Sequence, residues 1–260
     1  MVVALFFTMS TPSLFFLLCG LAGSSIVVGV RLGGWLRERR PERQGGIGVI
    51  QAALFGLIGL LLAFGLSMAV DRYEHRRAAT VEEANAIGTV ILRAQLLADP
   101  FRSESIAVLQ RYTEVSVEFS ETRPGSAANR AIDAEMADLF DELWSIAARV
   151  DASQPTENLS RLFIEALNEA NDAHGVRVAG LDNHVPNEVA AVILFASCAA
   201  LMALGLQLAM VGRGYVSSLV AALVVVGVLF VSYDLDRPTR GRIKVPDSAL
   251  VSLRDQLAPD

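Results

Sequence analysis

The stretch Gly45 to Leu97, GGIGVIQAALFGLIGLLLAFGLSMAVDRYEHRRAATVEEANAIGTVILRAQLL, decides the fold. Its first 26 residues, Gly45 to Val70, carry no charge. A helix of that length crosses a hydrocarbon core of about 30 Å at about 1.5 Å per residue. The following residues contain no Pro and one Gly, Gly88, before Asp99-Pro100. Nothing stops the spanning helix at the membrane surface, so it is expected to continue into water as one rod and form a wall of a soluble domain. The adjacent charges of Asp71 and Arg72 mark the exit from lipid, because a charge at the bilayer centre costs about 2.5–3.5 kcal/mol on insertion scales. Asp71, Arg72 and Tyr73 are therefore structural residues of the membrane boundary.

Outward from this rod, the chain reads as all-α. Of its 260 residues 53% are hydrophobic and 19% charged, and the excess apolar content falls into blocks. The first block is expected to span the membrane from Pro12 to about Leu36, with Thr11 as N-cap and Pro12 at the first helical position. A cleaved signal peptide fits less well, since no basic n-region precedes the long apolar run. Trp35 and the loop RERRPERQGG form its wet end. Two further spans, Val189–Val211 and Tyr215–Tyr233, are joined by the turn Gly212-Arg213-Gly214. Between the second and third spans, breaks at Asp99-Pro100, Arg123-Pro124-Gly125-Ser126 and Ser153-Gln154-Pro155-Thr156 divide a helical pattern into four segments, an antiparallel bundle. Four regions result: spans 1 and 2 with their basic loop (1–70), the soluble bundle (71–188), spans 3 and 4 (189–233), and a polar tail (234–260) with a short helix over Asp247–Leu257.

Charge and motifs narrow the function. Residues 71–188 hold 21 acidic and 11 basic side chains, a balance of −10. Such a surface does not suit nucleic acid. Cys19 and Cys198 lie in apolar runs and define neither a disulfide framework nor a zinc site. No phosphate loop, nucleophile elbow, CxxC pair or dinucleotide fingerprint is present, and the sequence makes no case for an enzyme, a catalytic residue or a cofactor. Glu165, Asn168, Asn171 and His174 recur every three residues, and Glu82, Glu83 and Asn85 lie on the first bundle helix; packed together, they would form a polar layer, the ordinary outcome, or a divalent-ion site. In the second span Ala52, Gly56, Gly59, Ala63 and Ser67 make a small-residue stripe, whose usual use is close helix packing and whose alternative is a pore face.

The segment FGLSMAVDRYEHRRAATVEEANAIG, Phe64 to Gly88, resembles the exit of the second membrane helix in bacterial bestrophins. The DLDRPTRG run, Asp234 to Gly241, is similar to the segment after their last span. Most closely, EEANAIGTVILRAQLL, LFIEALNEANDAHGVRV and DLDRPTRGRIKV resemble phrases of the bacterial bestrophin-like membrane proteins. That resemblance implies a multi-pass protein of the bacterial inner membrane, a homo-oligomer, pentameric if bestrophin-like, around an axis that conducts small anions such as chloride. It places Gly56, Leu60 and Phe64 on the pore lining, with Gly56 replacing a bulky gate residue. It also puts Asp234 and Asp236 near a calcium clasp, where Arg237 stands in place of a further acid, so no bound metal is expected. The basic residues flanking the spans divide between the two sides, and the resemblance decides for a cytoplasmic bundle. A membrane-anchored helical sensor or scaffold, or an accessory subunit without transport activity, is the alternative reading; no signalling output follows the last span.

Overall fold

The structure is a computed structural model, described over residues 9–39, 47–153, 158–211, 215–237 and 241–257. The expected connections at 40–46, 154–157 and 212–214 lie outside those residues. The described residues form eight helices: α1 (Thr11–Arg39), α2 (Ile47–Ala94), α3 (Phe101–Glu121), α4 (Ala127–Ser153), α5 (Asn158–Asp182), α6 (Asn187–Val211), α7 (Tyr215–Leu235) and α8 (Ser248–Leu257). Four of them, α1, α2, α6 and α7, are long and apolar enough to cross a membrane. With 48 residues, α2 is one uninterrupted rod, about 72 Å long at about 1.5 Å per residue. That is more than twice a hydrocarbon core of about 30 Å.

Helix ends follow local chemistry. At α1 the cap is Ser10, one residue before the expected Thr11: the Ser13 N–H donates to Ser10 Oγ at 3.3 Å, and the first helical bond runs from Leu14 N–H to the Ser10 carbonyl at 3.0 Å. At α4, Ser126 Oγ accepts from Asn129 N–H at 3.0 Å, and Asn129 Oδ1 accepts from Gly125 N–H at 3.1 Å. Gly125 has φ +70°, in the left-handed region that glycine adopts without steric cost.

The chain divides into two compact units, one of residues 1–71 and 184–243, the other of residues 72–183 and 244–260. In the first, α1 and α6 run parallel and approach through glycine. A Cβ at Gly29 would lie 1.9 Å from the Met202 carbonyl oxygen, one at Gly33 2.5 Å from that of Leu206, and one at Gly205 2.2 Å from that of Ile26. Small residues four apart let two backbones meet, the source of helix association where lipid removes the hydrophobic drive. Gly29→Val is expected to force these helices apart at a cost of about 1–3 kcal/mol. Gly23→Ala, where an added Cβ meets nothing within 4 Å, is expected to leave the thermal melting profile in detergent unchanged.

In the second unit α2, α3, α4 and α5 bury a core that includes Ile87, Leu109, Met136, Leu143, Ile146, Phe163 and Leu167. The polar tail contributes a fifth member. Leu250 of α8 is fully buried in that core, Leu253 packs on Gly88, and Gln110 Nε2 donates to the Leu257 carbonyl at 2.7 Å.

Candidate functional site

The membrane half of α2 has two unlike faces. Ile58, Leu62 and Ala69 are buried, and Gly65 lies so close to Ile193 of α6 that a Cβ there would come within 2.7 Å of its Cδ1. Leu60 and Phe64 point away from the protomer, 53% and 59% exposed. Gly56 is exposed one turn earlier, and a Cβ at Gly56 or Gly59 would meet nothing within 4 Å. Ala52, Ala63 and Ser67 are exposed as well, so among the described residues the small-residue stripe does not serve packing within the chain. Asp71 is exposed, while Arg72 and Tyr73 are half-buried.

The turn after α7 is built from buried charge. Asp234, Asp236 and Arg237 are each at most 2% exposed. Asp236 Oδ2 accepts from Val185 N–H at 2.9 Å, and His184 Nδ1 lies 2.9 Å from the Asp236 carbonyl oxygen. Asp234 Oδ2 accepts from the N–H groups of Arg242 at 2.7 Å and Ile243 at 3.2 Å. Arg237 donates to the Met9 carbonyl, and Gly241 is required because a Cβ would sit 2.5 Å from the Asp234 carbonyl oxygen. One oxygen of each aspartate is thus spent on the backbone and a guanidinium shares the turn.

The bundle holds a polar layer that joins its four long helices. Glu83 of α2, with no exposed surface, accepts from His174 Nδ1 at 2.8 Å and pairs with Arg177, both of α5. His174 Nε2 meets Asp133 of α4 at 3.2 Å. Arg177 also donates to Ser116 Oγ at 3.0 Å and Ser120 Oγ at 2.6 Å on α3, with its guanidinium 5.1 Å from the centre of the Phe119 ring. The polar layer expected from the sequence therefore includes Glu83 and His174, but not the rest of the proposed row. Glu82, Asn85, Glu165, Asn168 and Asn171 are exposed. Steps of three drift by about 60° each on a helix of about 3.6 residues per turn, so Glu165 and His174, nine residues apart, lie on opposite faces. Arg177 supplies the positive charge that an ion would otherwise bring.

Burial alone would raise the Glu83 carboxyl, but the His174 hydrogen bond and the charges of Arg177 and His174 outweigh it and hold the group below its usual range. Burial alone would lower His174, yet the hydrogen bonds and charges of Glu83 and Asp133 hold it above its ordinary value. A raised histidine stabilises the fold fully below its unfolded value of about 6.5 and loses that contribution as pH rises through its folded value. A depressed carboxyl contributes fully above its unfolded value of about 4.3 and loses this as pH falls through its folded value. The bundle is expected to melt highest between about pH 4.3 and 6.5, and His174→Gln to flatten the decline on the alkaline side; thermal circular dichroism across pH measures both.

A model of the bestrophin-like domain matches residues 15–250. The chain belongs to the bestrophin-like family. No curated protein matches it significantly. Its fold is similar to the crystal structure of a membrane protein, with a TM-score of 0.69 and 13% identity over 92% of this chain and 97% of that one. It is also similar to two crystal structures of a bacterial bestrophin homolog from Klebsiella pneumoniae, each bearing a mutation. One gives a TM-score of 0.68 at 12% identity over 92% of this chain and 97% of that one; the other gives 0.61 at 14% over 90% and 96%. This bestrophin-like protein is thus a four-span, all-helical membrane protein. The Gly29-Val30-Arg31-Leu32-Gly33 motif of α1 escaped the sequence reading, although small residues four apart are its signal.

Proposed function

We propose that this bestrophin-like protein assembles as a homo-oligomer, a pentamer, in the bacterial inner membrane and conducts small anions along an axis lined by α2. The observation that carries the reading is the outward face of α2. Leu60 and Phe64 are more than half exposed one turn apart, while the opposite side of the same helix packs on the protomer. Gly56, Leu60 and Phe64 from several copies would form the lining, and a ring of Leu and Phe would gate by dewetting rather than by binding ions. Asp71, Arg72 and Tyr73 would fix the level at which α2 leaves lipid, with the bundle on the cytoplasmic side.

Subunit number tests the assembly. Native mass measurement in detergent is expected to give five chains of 27.9 kDa. A monomer or dimer as the sole species would leave α2 without an axis to line and would favour the scaffold or accessory-subunit reading.

A further inference from the structure

The conduction path makes no use of a cleft of about 410 Å³ between α2 and α5 of the bundle, lined by Arg72, His75, Arg76, Glu82, Gly180 and Asn183 among others. Its charge runs against its surroundings. The segment 71–188 carries ten more acidic than basic groups, yet the cleft gathers two arginines and a histidine against one carboxylate. Arg72 and Arg76 stand four residues apart, on one face of α2. Arg76 is only 3% exposed, and a buried guanidinium is ordinarily paired. Its Nε donates to the Arg72 carbonyl at 3.1 Å, and Arg72, His75 and Arg76 all hold interactions within the protein, which restricts how they point. Gly180 keeps the opposite wall low: a Cβ there would stand 3.6 Å from Arg76 Cγ, in ordinary contact.

Two further facts select the ligand. Guanidinium groups present paired N–H donors that match phosphate oxygens, and His75 and Asn183 add further donors. Arg72 also follows the last uncharged residue of the α2 span, Val70, by two positions, a rise of about 3 Å, which is headgroup depth. We propose that this cleft binds a phosphate group. An anionic phospholipid headgroup and free inorganic phosphate carry the same chemistry, and the experiment separates them.

The full chain is reconstituted in nanodiscs of phosphatidylcholine with and without phosphatidylglycerol, and retained lipid is counted by native mass spectrometry. In parallel, inorganic phosphate is titrated calorimetrically into the detergent-solubilised protein. The deciding variant is Gly180→Leu, which fills the cleft and keeps every charge; Arg72→Gln removes one donor pair. Arg72→Gln is expected to weaken binding about tenfold, the effect of losing one charge-assisted hydrogen bond, and Gly180→Leu to weaken it at least as much by occupying the space the phosphate would take. Loss in the lipid arm identifies a headgroup, and loss in the phosphate arm a soluble anion. Binding that survives Gly180→Leu unchanged, or a parent protein that retains neither probe, overturns the proposal. Neither readout involves ion flux, so the result stands apart from the conduction reading.

Discussion

An Arg177→Met variant is expected to lose about 3–5 kcal/mol of bundle stability, because removing one partner of a buried pair strands the other charge. Glu83 would then sit with no exposed surface and without its guanidinium. Ser116 and Ser120 would each lose a donor, and α3 would lose these hydrogen bonds to α5. A Glu83→Leu/Arg177→Met double variant should recover much of the loss, since well-packed apolar side chains often replace a buried ion pair at little cost. Thermal melting followed at the helical signal reads all three proteins. A single variant as stable as the parent would mean that the pair contributes nothing to holding α2, α3 and α5 together.

The same network shows what a single chain of letters discloses. The four spans were legible because an uncharged run of 20 or more residues has few other uses in a protein. The bundle helices were legible because Pro100, Pro124 and Pro155 punctuate a pattern otherwise free of breakers. Glu83 and His174 could be nominated, but which faces meet is a matter of register between helices far apart in the chain. Asp133, Ser116 and Arg177 carried no signal of their own. Helix α8 was seen as a helix but not as a core member; Leu250, Leu253 and Leu257, at steps of three and four, were the available sign.

Close approach was the other gap. The stripe on α2 faces away from the described helices of the chain, and the closest backbone approach lies at Gly29, Gly33 and Gly205. A small residue states only that something can come near. At Gly56 and Gly59 no described residue does, which is why an axial role for that face has physical weight.

The second large effect concerns that face. If Leu60 and Phe64 form the narrowest part of an anion path, truncating both widens and wets the constriction, and the dewetting barrier falls. Anion leak from vesicles reconstituted with Leu60→Ala/Phe64→Ala is expected to exceed that of the parent by about tenfold or more, the effect of lowering a barrier by about 1.4 kcal/mol. Phe195→Ala, an exposed apolar position on α6 rather than α2, serves as a control for lost apolar bulk. Its leak should stay near that of the parent. The measurement is made on proteins shown to be inserted and of equal subunit number. A selective rise in the double variant is the result the account predicts; equal leak from the parent, the control and the double variant would contradict it.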